Sequence, residues 1–112
     1  MRARLADVMM ADKAFKLTVA RTAEQAKAGE EVGHAASIIK YAAAKLNQAK
    51  TEFTVEAMGF QGLGWEGDEF TDGELEAVRG WLFGKATTIY GGSTEIQNNI
   101  IAKRVLGMLD HQ

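Results

Sequence analysis

The sequence lacks several residue types on which enzyme chemistry often depends. Among its 112 residues there is no cysteine, no proline and only two histidines. The absence of cysteine excludes disulfide frameworks, thiolate nucleophiles and cysteine-based zinc sites, and His34 and His111 alone do not supply a histidine-rich metal site. The absence of proline removes the commonest helix breaker. We therefore expect long helices and no metal centre. We interpret His34, which has no nearby acid–nucleophile arrangement, as a surface or partly packed residue.

The chain also lacks an excess of basic charge and any long apolar run. With 13 Lys and Arg against 15 Asp and Glu, its formal charge is −2, which argues against a nucleic-acid or anionic-membrane surface. No apolar run approaches the roughly 18 residues that span a bilayer. Asp7 and Asp12 interrupt the stretch that would be apolar in a signal peptide. We predict one soluble, cytoplasmic domain over residues 1–112, with no membrane insertion and no bound nucleic acid.

Helix-forming residues dominate the first half of the chain. The segment from Arg2 to about Ala28 is rich in Ala, Lys, Glu, Leu and Met, and Gly29 follows it in the position of a C-cap. A second helix is predicted from about Val32 to Met58, because apolar residues recur there at three- to four-residue spacing. They are Ala35, Ile38, Ala42, Leu46, Ala49, Phe53 and Ala57. The short link predicts that the two helices pack antiparallel.

Glycine divides the second half of the chain. Residues 59–67 contain four glycines, a density that we expect to exclude a helix. Thr71 and Glu74 form a capping-box pattern at the start of a third helix, which Gly91–Gly92 ends. Ser93 is a good N-cap for a fourth helix. The two stripes of apolar residues are Leu75, Val78, Leu82 and Ile89, then Ile96, Ile100, Val105 and Leu106. Together these patterns predict an all-α, antiparallel four-helix bundle.

Two glycine-containing segments have both a structural and a ligand-binding interpretation. Gly62–Gly67 spells G-x-G-x-x-G, but the dinucleotide fingerprint needs a strand before it and a helix directly after it. We therefore interpret it as a helix–helix connection with residues at positive φ, although its small residues would also let a ligand approach the backbone. Gly91–Gly92 with Ser93 and Glu95 is either an anion or polar-ligand site or an ordinary helix cap. Both tryptophans, Trp65 and Trp81, are interpreted as packing anchors.

The segment from Thr88 to Gly107 reads T-I-Y-G-G-S-T-E-I-Q-N-N-I-I-A-K-R-V-L-G. It resembles the C-terminal signature of the acyl-CoA dehydrogenases, I-Y-E/G-G-T/S-x-Q/E-I-Q-x-x-I-I-A-x-x-x-L. The resemblance implies the C-terminal helical bundle of an FAD-dependent enzyme that oxidises the Cα–Cβ bond of an acyl-CoA thioester and forms homo- or hetero-oligomers. It also implies a C-terminal piece that lacks the N-terminal helical domain, the middle β-domain and the first helix of the bundle. We expect this piece alone to be inactive and to hold no FAD.

The same resemblance assigns cofactor-binding positions. The expected FAD contacts are Gly92, Ser93 and Glu95 in the signature, and Glu56, Gly59 and Phe60 in the loop after the second helix. In the family, that loop reaches the flavin nucleotide of a neighbouring subunit. Glu56 stands where many members have Gln, and Phe60 stands where many have Gly. Ser93 and Glu95 preserve the hydrogen-bonding chemistry of the signature, although a carboxylate only accepts.

The catalytic base is the largest departure from the family pattern. Gly91 occupies the position at which many members carry a glutamate, which removes the α-proton while hydride leaves the β-carbon for the flavin. Other branches place the base on an earlier helix of the bundle, which this chain lacks. We therefore predict no catalytic residue within the chain. The alternative function is a stand-alone, non-catalytic helical interaction module, or a non-catalytic partner subunit, derived from that family.

Overall fold

The computed structural model describes residues 1–33 and 35–109, and within these ranges the regular structure is helical, with no strand. His34 and His111 lie outside the described residues. The α-helices are α1 (Arg2–Lys27), α2 (Ala35–Met58), α3 (Asp72–Gly84) and α4 (Thr94–Ile100). Short 3-10 helices cover Gly59–Leu63 and Lys85–Thr88, and a π-helical turn covers Ile101–Val105. The predicted all-α fold with four helices is confirmed.

The second helix, α2, is the central element of the fold. It packs against α1, α3 and α4 and against both 3-10 helices. Its pairing with α1 is antiparallel, because Arg4 near the start of α1 pairs with Glu56 near the end of α2, while Asp12 pairs with Lys50. On α3, Gly84 approaches α2 so closely that a Cβ there would lie 3.1 Å from Nδ2 of Asn47. The absence of a side chain at Gly84 thus lets α3 approach α2 closely.

The first helix, α1, contacts α2 through apolar side chains and ion pairs, but the contact leaves it largely open to solvent. None of its residues is buried, whereas Ala44 of α2 and Val78 of α3 are buried apolar residues. Asp12 forms ion pairs with both Lys16 and Lys50, and the two ammonium groups hold the pKa of Asp12 below its ordinary value of 3.8. Exposed ion pairs of this kind contribute about 0–1 kcal/mol each, so they add little to the attachment of α1.

The helix ends follow the signals in the sequence. The backbone N–H of Gly29 donates to the carbonyl of Ala26, and Gly29 has a φ of +76°, which is the left-handed conformation expected after a helix. At the start of α3, the N–H of Glu74 donates to the Thr71 hydroxyl, and the Thr71 N–H donates to the Glu74 carboxylate. The predicted cap and the predicted capping box are therefore confirmed.

The glycine-rich segment after α2 differs from the prediction. The prediction that no helix forms over residues 59–67 is wrong, because Gly59–Leu63 is a 3-10 helix. Its Gly62 is buried, and a Cβ there would lie 2.3 Å from the Val55 carbonyl oxygen. Glycine is needed for this close approach to α2 rather than for flexibility. Trp65 is 54% exposed, so it is not buried in the core.

The third and fourth helices also cease to be α-helical before their predicted ends. The third helix continues beyond Gly84 as the 3-10 helix Lys85–Thr88, in which Thr87 and Thr88 hydroxyls donate to the carbonyls three residues earlier. Such side-chain hydrogen bonds compete with the regular α-helical pattern. The fourth continues beyond Ile100 as the π-helical turn.

Candidate functional site

The turn between the 3-10 helix Lys85–Thr88 and α4 contains the two glycines that the sequence predicted to end the third helix. Gly91 and Gly92 have φ values of +67° and +94°, a conformation that other residues rarely adopt. The chain then extends at Ser93, whose hydroxyl accepts from the N–H of Ile96 at 3.4 Å. Ser93 therefore caps α4, as predicted, and the two glycines allow the reversal that places it there.

A buried glutamine holds this turn from the inside. Gln97 is 7% exposed, and its Nε2 donates to the carbonyl of Gly91 at 3.3 Å. A Cβ on Gly92 would lie 2.6 Å from the same Nε2 atom, so a side chain there would displace the Gln97 amide, and the φ of +94° already favours glycine. The sequence analysis did not identify Gln97 as part of the site, because its spacing gives no sign that a polar side chain lies inside.

Ser93 and Glu95 line a polar cavity of about 280 Å³ between α2 and α4, which we call the signature pocket. Its lining residues are Lys45, Gln48, Thr88, Ile89, Ser93, Thr94 and Glu95. The side chain of Gln48 donates to the Thr88 hydroxyl at 3.4 Å and bridges the two walls. Hydroxyl, amide, ammonium and carboxylate groups therefore meet in one cavity. A ligand with several oxygen and nitrogen atoms would find both donors and acceptors there.

Glu95 is the acidic group of the signature pocket. Its own backbone N–H, then the Ser93 hydroxyl and finally the charge of Lys45 hold the pKa of Glu95 below its ordinary value of 4.5. Hydrogen bonds and a nearby cation both favour the ionised carboxylate. Glu95 is consequently an anion at neutral pH, suited to accept hydrogen bonds and poorly suited to remove a proton.

The other predicted contacts surround a second cavity. Glu56 and Gly59 border a space of about 300 Å³ together with Glu52, Gly62 and Trp81. We call it the loop pocket. The Glu56 carboxylate forms an ion pair with Arg4 of α1. The indole Nε1 of Trp81 is buried without a hydrogen-bond partner among the described residues.

Phe60 extends from the 3-10 helix beside this pocket. It is 72% exposed, and its ring stacks against Phe70 with 6.3 Å between the ring centroids. Gly59 has a φ of +61°, which requires glycine where α2 ends.

The structure keeps the two predicted groups of cofactor contacts apart. On α2, Gln48 of the signature pocket and Glu56 of the loop pocket are eight residues apart, which corresponds to about 12 Å along the helix. The two cavities share no lining residue. One copy of the chain thus presents two separate cavities. The sequence could not reveal that Lys45 and Gln48 line the signature pocket, because Ser93 follows them by 48 and 45 residues.

Two features in the described part of the chain limit the chemistry of these sites. No group of three His, Cys, Asp or Glu side chains in residues 1–33 and 35–109 is arranged to hold a metal ion. Gly91 contributes no side chain, and the nearest side-chain atom to a Cβ built there is Cε of Lys40. No described helix is long and apolar enough to cross a membrane.

Comparison with known proteins agrees with the signature. A family described as "Acyl-CoA dehydrogenase, C-terminal domain" matches residues 1–106. Over 57 residues the chain is 49% identical to acyl-CoA dehydrogenase IpdE1 of Mycolicibacterium smegmatis, covering 51% of this chain and 14% of that protein. It is 57% identical over 47 residues to acyl-CoA dehydrogenase IpdE1 of Mycobacterium tuberculosis, covering 41% of this chain and 12% of that protein.

These relatives are much longer than the stretches that match. The aligned stretches span 14% and 12% of their lengths. No solved structure matches the chain significantly. The family match, in contrast, extends over nearly all of the chain, from α1 to the end of the π-helical turn. The chain therefore belongs to the acyl-CoA dehydrogenase family, in which it corresponds to the C-terminal domain.

Proposed function

We propose that residues 1–112 act as the C-terminal helical domain of an FAD-dependent acyl-CoA dehydrogenase that oxidises the Cα–Cβ bond of an acyl-CoA thioester. The observation that carries this proposal is the signature pocket, in which the family motif provides Ser93 and Glu95 and α2 adds Lys45 and Gln48. We further propose that the assembled enzyme is a homo- or hetero-oligomer. The cytoplasmic location stays a prediction from the sequence.

The chemistry of the signature pocket fits part of an FAD molecule. FAD, when bound, accepts a hydride from the substrate and carries phosphate, carbonyl and hydroxyl groups. Lys45 and Gln48 can donate to its oxygen atoms, Ser93 can donate or accept, and the Glu95 carboxylate can accept from a hydroxyl. A cavity of about 280 Å³ is near the lower limit of ligand pockets, roughly 300–1,000 Å³. It would therefore hold only a portion of a dinucleotide.

The oligomeric part of the proposal rests on the loop after α2, which in the family that the sequence resembles reaches the flavin of a neighbouring subunit. A single FAD contacted at the signature pocket need not extend to the loop pocket, about 12 Å away along α2. The loop pocket, with Gly59 and the exposed Phe60, is available to a cofactor carried by a neighbouring subunit. In this arrangement each copy contributes to two flavin sites, and each site is incomplete without a second copy.

A non-catalytic role is the alternative proposal, and the position of Gly91 favours it. A protein that retains the fold but has no carboxylate at the base position would bind partners, or even FAD, without oxidising a thioester. Under the leading proposal, a base on an earlier helix of the assembled protein removes the α-proton instead. The two proposals differ in whether the assembled flavoprotein is reduced by substrate.

Reconstitution separates these possibilities. The chain is co-expressed with a matching N-terminal portion of an acyl-CoA dehydrogenase, and the purified complex is tested for FAD absorbance and for bleaching by acyl-CoA. We expect a yellow complex that bleaches, whereas the chain alone retains no FAD because its pocket holds only part of the cofactor. A yellow complex that no acyl-CoA bleaches would support the non-catalytic alternative. A colourless, folded complex would contradict the flavin proposal.

A variant of the signature pocket tests whether Glu95 contributes to the binding of FAD. Replacing Glu95 with Gln keeps the shape of the side chain but removes its charge, and we expect the complex to lose FAD more readily in equilibrium dialysis. The matched control is Glu76→Gln on the exposed surface of α3, which should retain FAD as the parent does. Equal retention by both variants would show that Glu95 does not contact the cofactor.

A further inference from the structure

Gln97 is attached to both ends of the turn that leads into α4. Its side-chain Nε2 donates to the carbonyl of Gly91 at 3.3 Å, and its backbone N–H donates to the carbonyl of Ser93 at 2.9 Å. Gly92 lies between these two carbonyls, and a Cβ there would be 2.6 Å from Nε2. A single residue of α4 therefore contacts every residue from Gly91 to Ser93.

The turn needs such a contact because its own residues are permissive. Gly91 and Gly92 have φ values of +67° and +94°, and glycine populates positive and negative φ about equally well. Glycine also loses more conformational freedom on folding than any other residue. The two glycines make this conformation accessible, whereas the hydrogen bond from Nε2 favours it over the others that glycine can adopt.

The amide of Gln97 satisfies only one of its two polar groups. The Gly91 carbonyl can only accept, so the group that faces it is the NH₂. Oε1 is buried and has no hydrogen-bond partner among the described residues. A buried acceptor without a partner costs at least as much free energy as one hydrogen bond contributes. The side chain thus adds little net stability, and its presence requires another explanation.

We propose that Gln97 is a positioning residue of the flavin site, whose side chain holds Ser93 and Glu95 in the place from which they contact FAD. Gln97 does not line the signature pocket, whereas Ser93 and Glu95 do, so it acts through the turn and not by touching the ligand. This inference rests on the proposed function for its ligand. Its core, that the side chain of Gln97 fixes the turn, is testable without FAD.

Two substitutions separate the hydrogen bond to Gly91 from the stability of the fold. Gln97→Met removes both polar atoms but keeps a long, unbranched and adaptable side chain. Gly91 is exposed, so its carbonyl can bind water in this variant. Gln97→Glu keeps the shape but replaces the donor with an acceptor and buries a charge. In urea denaturation we expect Gln97→Met to be at least as stable as the parent chain, and Gln97→Glu to be less stable.

The reconstituted complex shows whether FAD follows the hydrogen bond or the stability. We expect the dissociation constant for FAD to rise about five- to tenfold in both variants, which corresponds to the loss of one hydrogen bond. A purely structural role would instead make FAD retention follow stability, so that only Gln97→Glu would lose the cofactor. The matched control is Asn98→Met, the exposed neighbour on α4, which should retain FAD as the parent does.

A second measurement uses the 112-residue chain without cofactor. The backbone N–H of Glu95, the Ser93 hydroxyl and the charge of Lys45 hold the pKa of Glu95 below 4.5. In Gln97→Met the Ser93 hydroxyl loses its fixed place beside the carboxylate, so the pKa of Glu95 should rise towards 4.5. Carbon-13 NMR titration of the Glu95 carboxyl measures this change, and Asn98→Met should titrate like the parent.

Each of three results would overturn the proposal. A marked loss of stability in Gln97→Met would show that the side chain serves the fold. An unchanged pKa of Glu95 in Gln97→Met would show that the turn keeps its position without the side-chain hydrogen bond. Parental FAD retention in Gln97→Met would show that the flavin site does not depend on it. If the parent complex itself holds no FAD, the proposed function fails, whereas the pKa of Glu95 still decides whether Gln97 fixes the turn.

Discussion

Cε of Lys40 lies 3.4 Å from the point that a Cβ on Gly91 would occupy. The Lys40 ammonium donates to the carbonyl of Thr87 at 2.6 Å and lies 5.9 Å from the centroid of the Tyr90 ring. The position that the resemblance assigns to the family's base is therefore next to a cation. Gly91 also has a φ of +67°, a conformation that other residues rarely adopt. The backbone and the nearby charge of Lys40 therefore both disfavour a glutamate that acts as a base at this position.

The backbone constraint at Gly91 predicts opposite effects for two Gly→Ala substitutions. Gly91→Ala should lower the free energy of unfolding by about 1–2 kcal/mol, because an L-residue at this φ is strained. Gly80→Ala, on an exposed surface of α3 with no atom within 4 Å of the new Cβ, should raise it by about 0.5–1 kcal/mol. Urea denaturation of the two variants provides the measurement. A Gly91→Ala chain as stable as the parent would show that the turn relaxes.

The neighbouring cation predicts the behaviour of Gly91→Glu in the reconstituted flavoprotein. Lys40 should pair with the new carboxylate and lower its pKa, which makes it a weak base near neutral pH. We therefore expect little gain in turnover from Gly91→Glu alone. Adding Lys40→Met should raise that pKa and shift the acidic limb of the pH–rate profile upwards. A large gain from Gly91→Glu alone would contradict this account and would favour a non-catalytic parent.

The capping box predicts a change in stability with pH. Hydrogen bonds from the Thr71 N–H, the Thr71 hydroxyl and the Gln61 side chain hold the pKa of Glu74 below its ordinary value of 4.5. A carboxyl whose pKa is lower in the folded state stabilises the fold above its unfolded pKa. That contribution is lost as the pH falls below 4.5. Glu74→Gln should therefore flatten the acid side of the stability–pH curve.

Glu76→Gln serves as the matched control for this prediction. Glu76 lies on the same helix and is exposed, but it is not part of the capping box. Thermal unfolding from pH 6 to pH 3 should give a curve for Glu76→Gln that is parallel to that of the parent. If Glu74→Gln follows the same curve, the capping box does not contribute to the acid sensitivity of the chain.

Local signals account for what the sequence predicted correctly. The capping box at Thr71, the N-cap at Ser93 and the left-handed Gly29 depend on residues within one turn of each other, and their hydrogen bonds follow from that spacing. The long apolar seam of α2 predicted the central helix for the same reason. In each case the residues that determine the structure are close together in the chain.

Features that depend on tertiary packing were not predictable from the sequence. Lys45 and Gln48 enter the signature pocket only because α4 folds back on α2. The buried side chain of Gln97 belongs to a turn whose shape is determined by two glycines. The number of glycines predicted no helix over residues 59–67, whereas Gly59–Leu63 forms a 3-10 helix. Its Gly62 lies against Val55 at a distance that leaves no room for a side chain.

The close contact at Gly62 leads to a last prediction. A Cβ on Gly62 would lie 2.3 Å from the carbonyl oxygen of Val55, whereas a Cβ on Gly64 would lie 2.6 Å from the ring of Phe70. The backbone of α2 cannot shift without breaking helical hydrogen bonds, but an aromatic ring can rotate. We therefore expect Gly62→Ala to be more destabilising than Gly64→Ala, with overpacking costs of about 1–3 kcal/mol.

Gly73→Ala is the matched control, because no atom lies within 4 Å of its new Cβ. Urea denaturation should rank the stabilities as Gly73→Ala above Gly64→Ala above Gly62→Ala. Equal stability of the Gly62→Ala and Gly73→Ala chains would show that α2 and the 3-10 helix are not in the close contact described above.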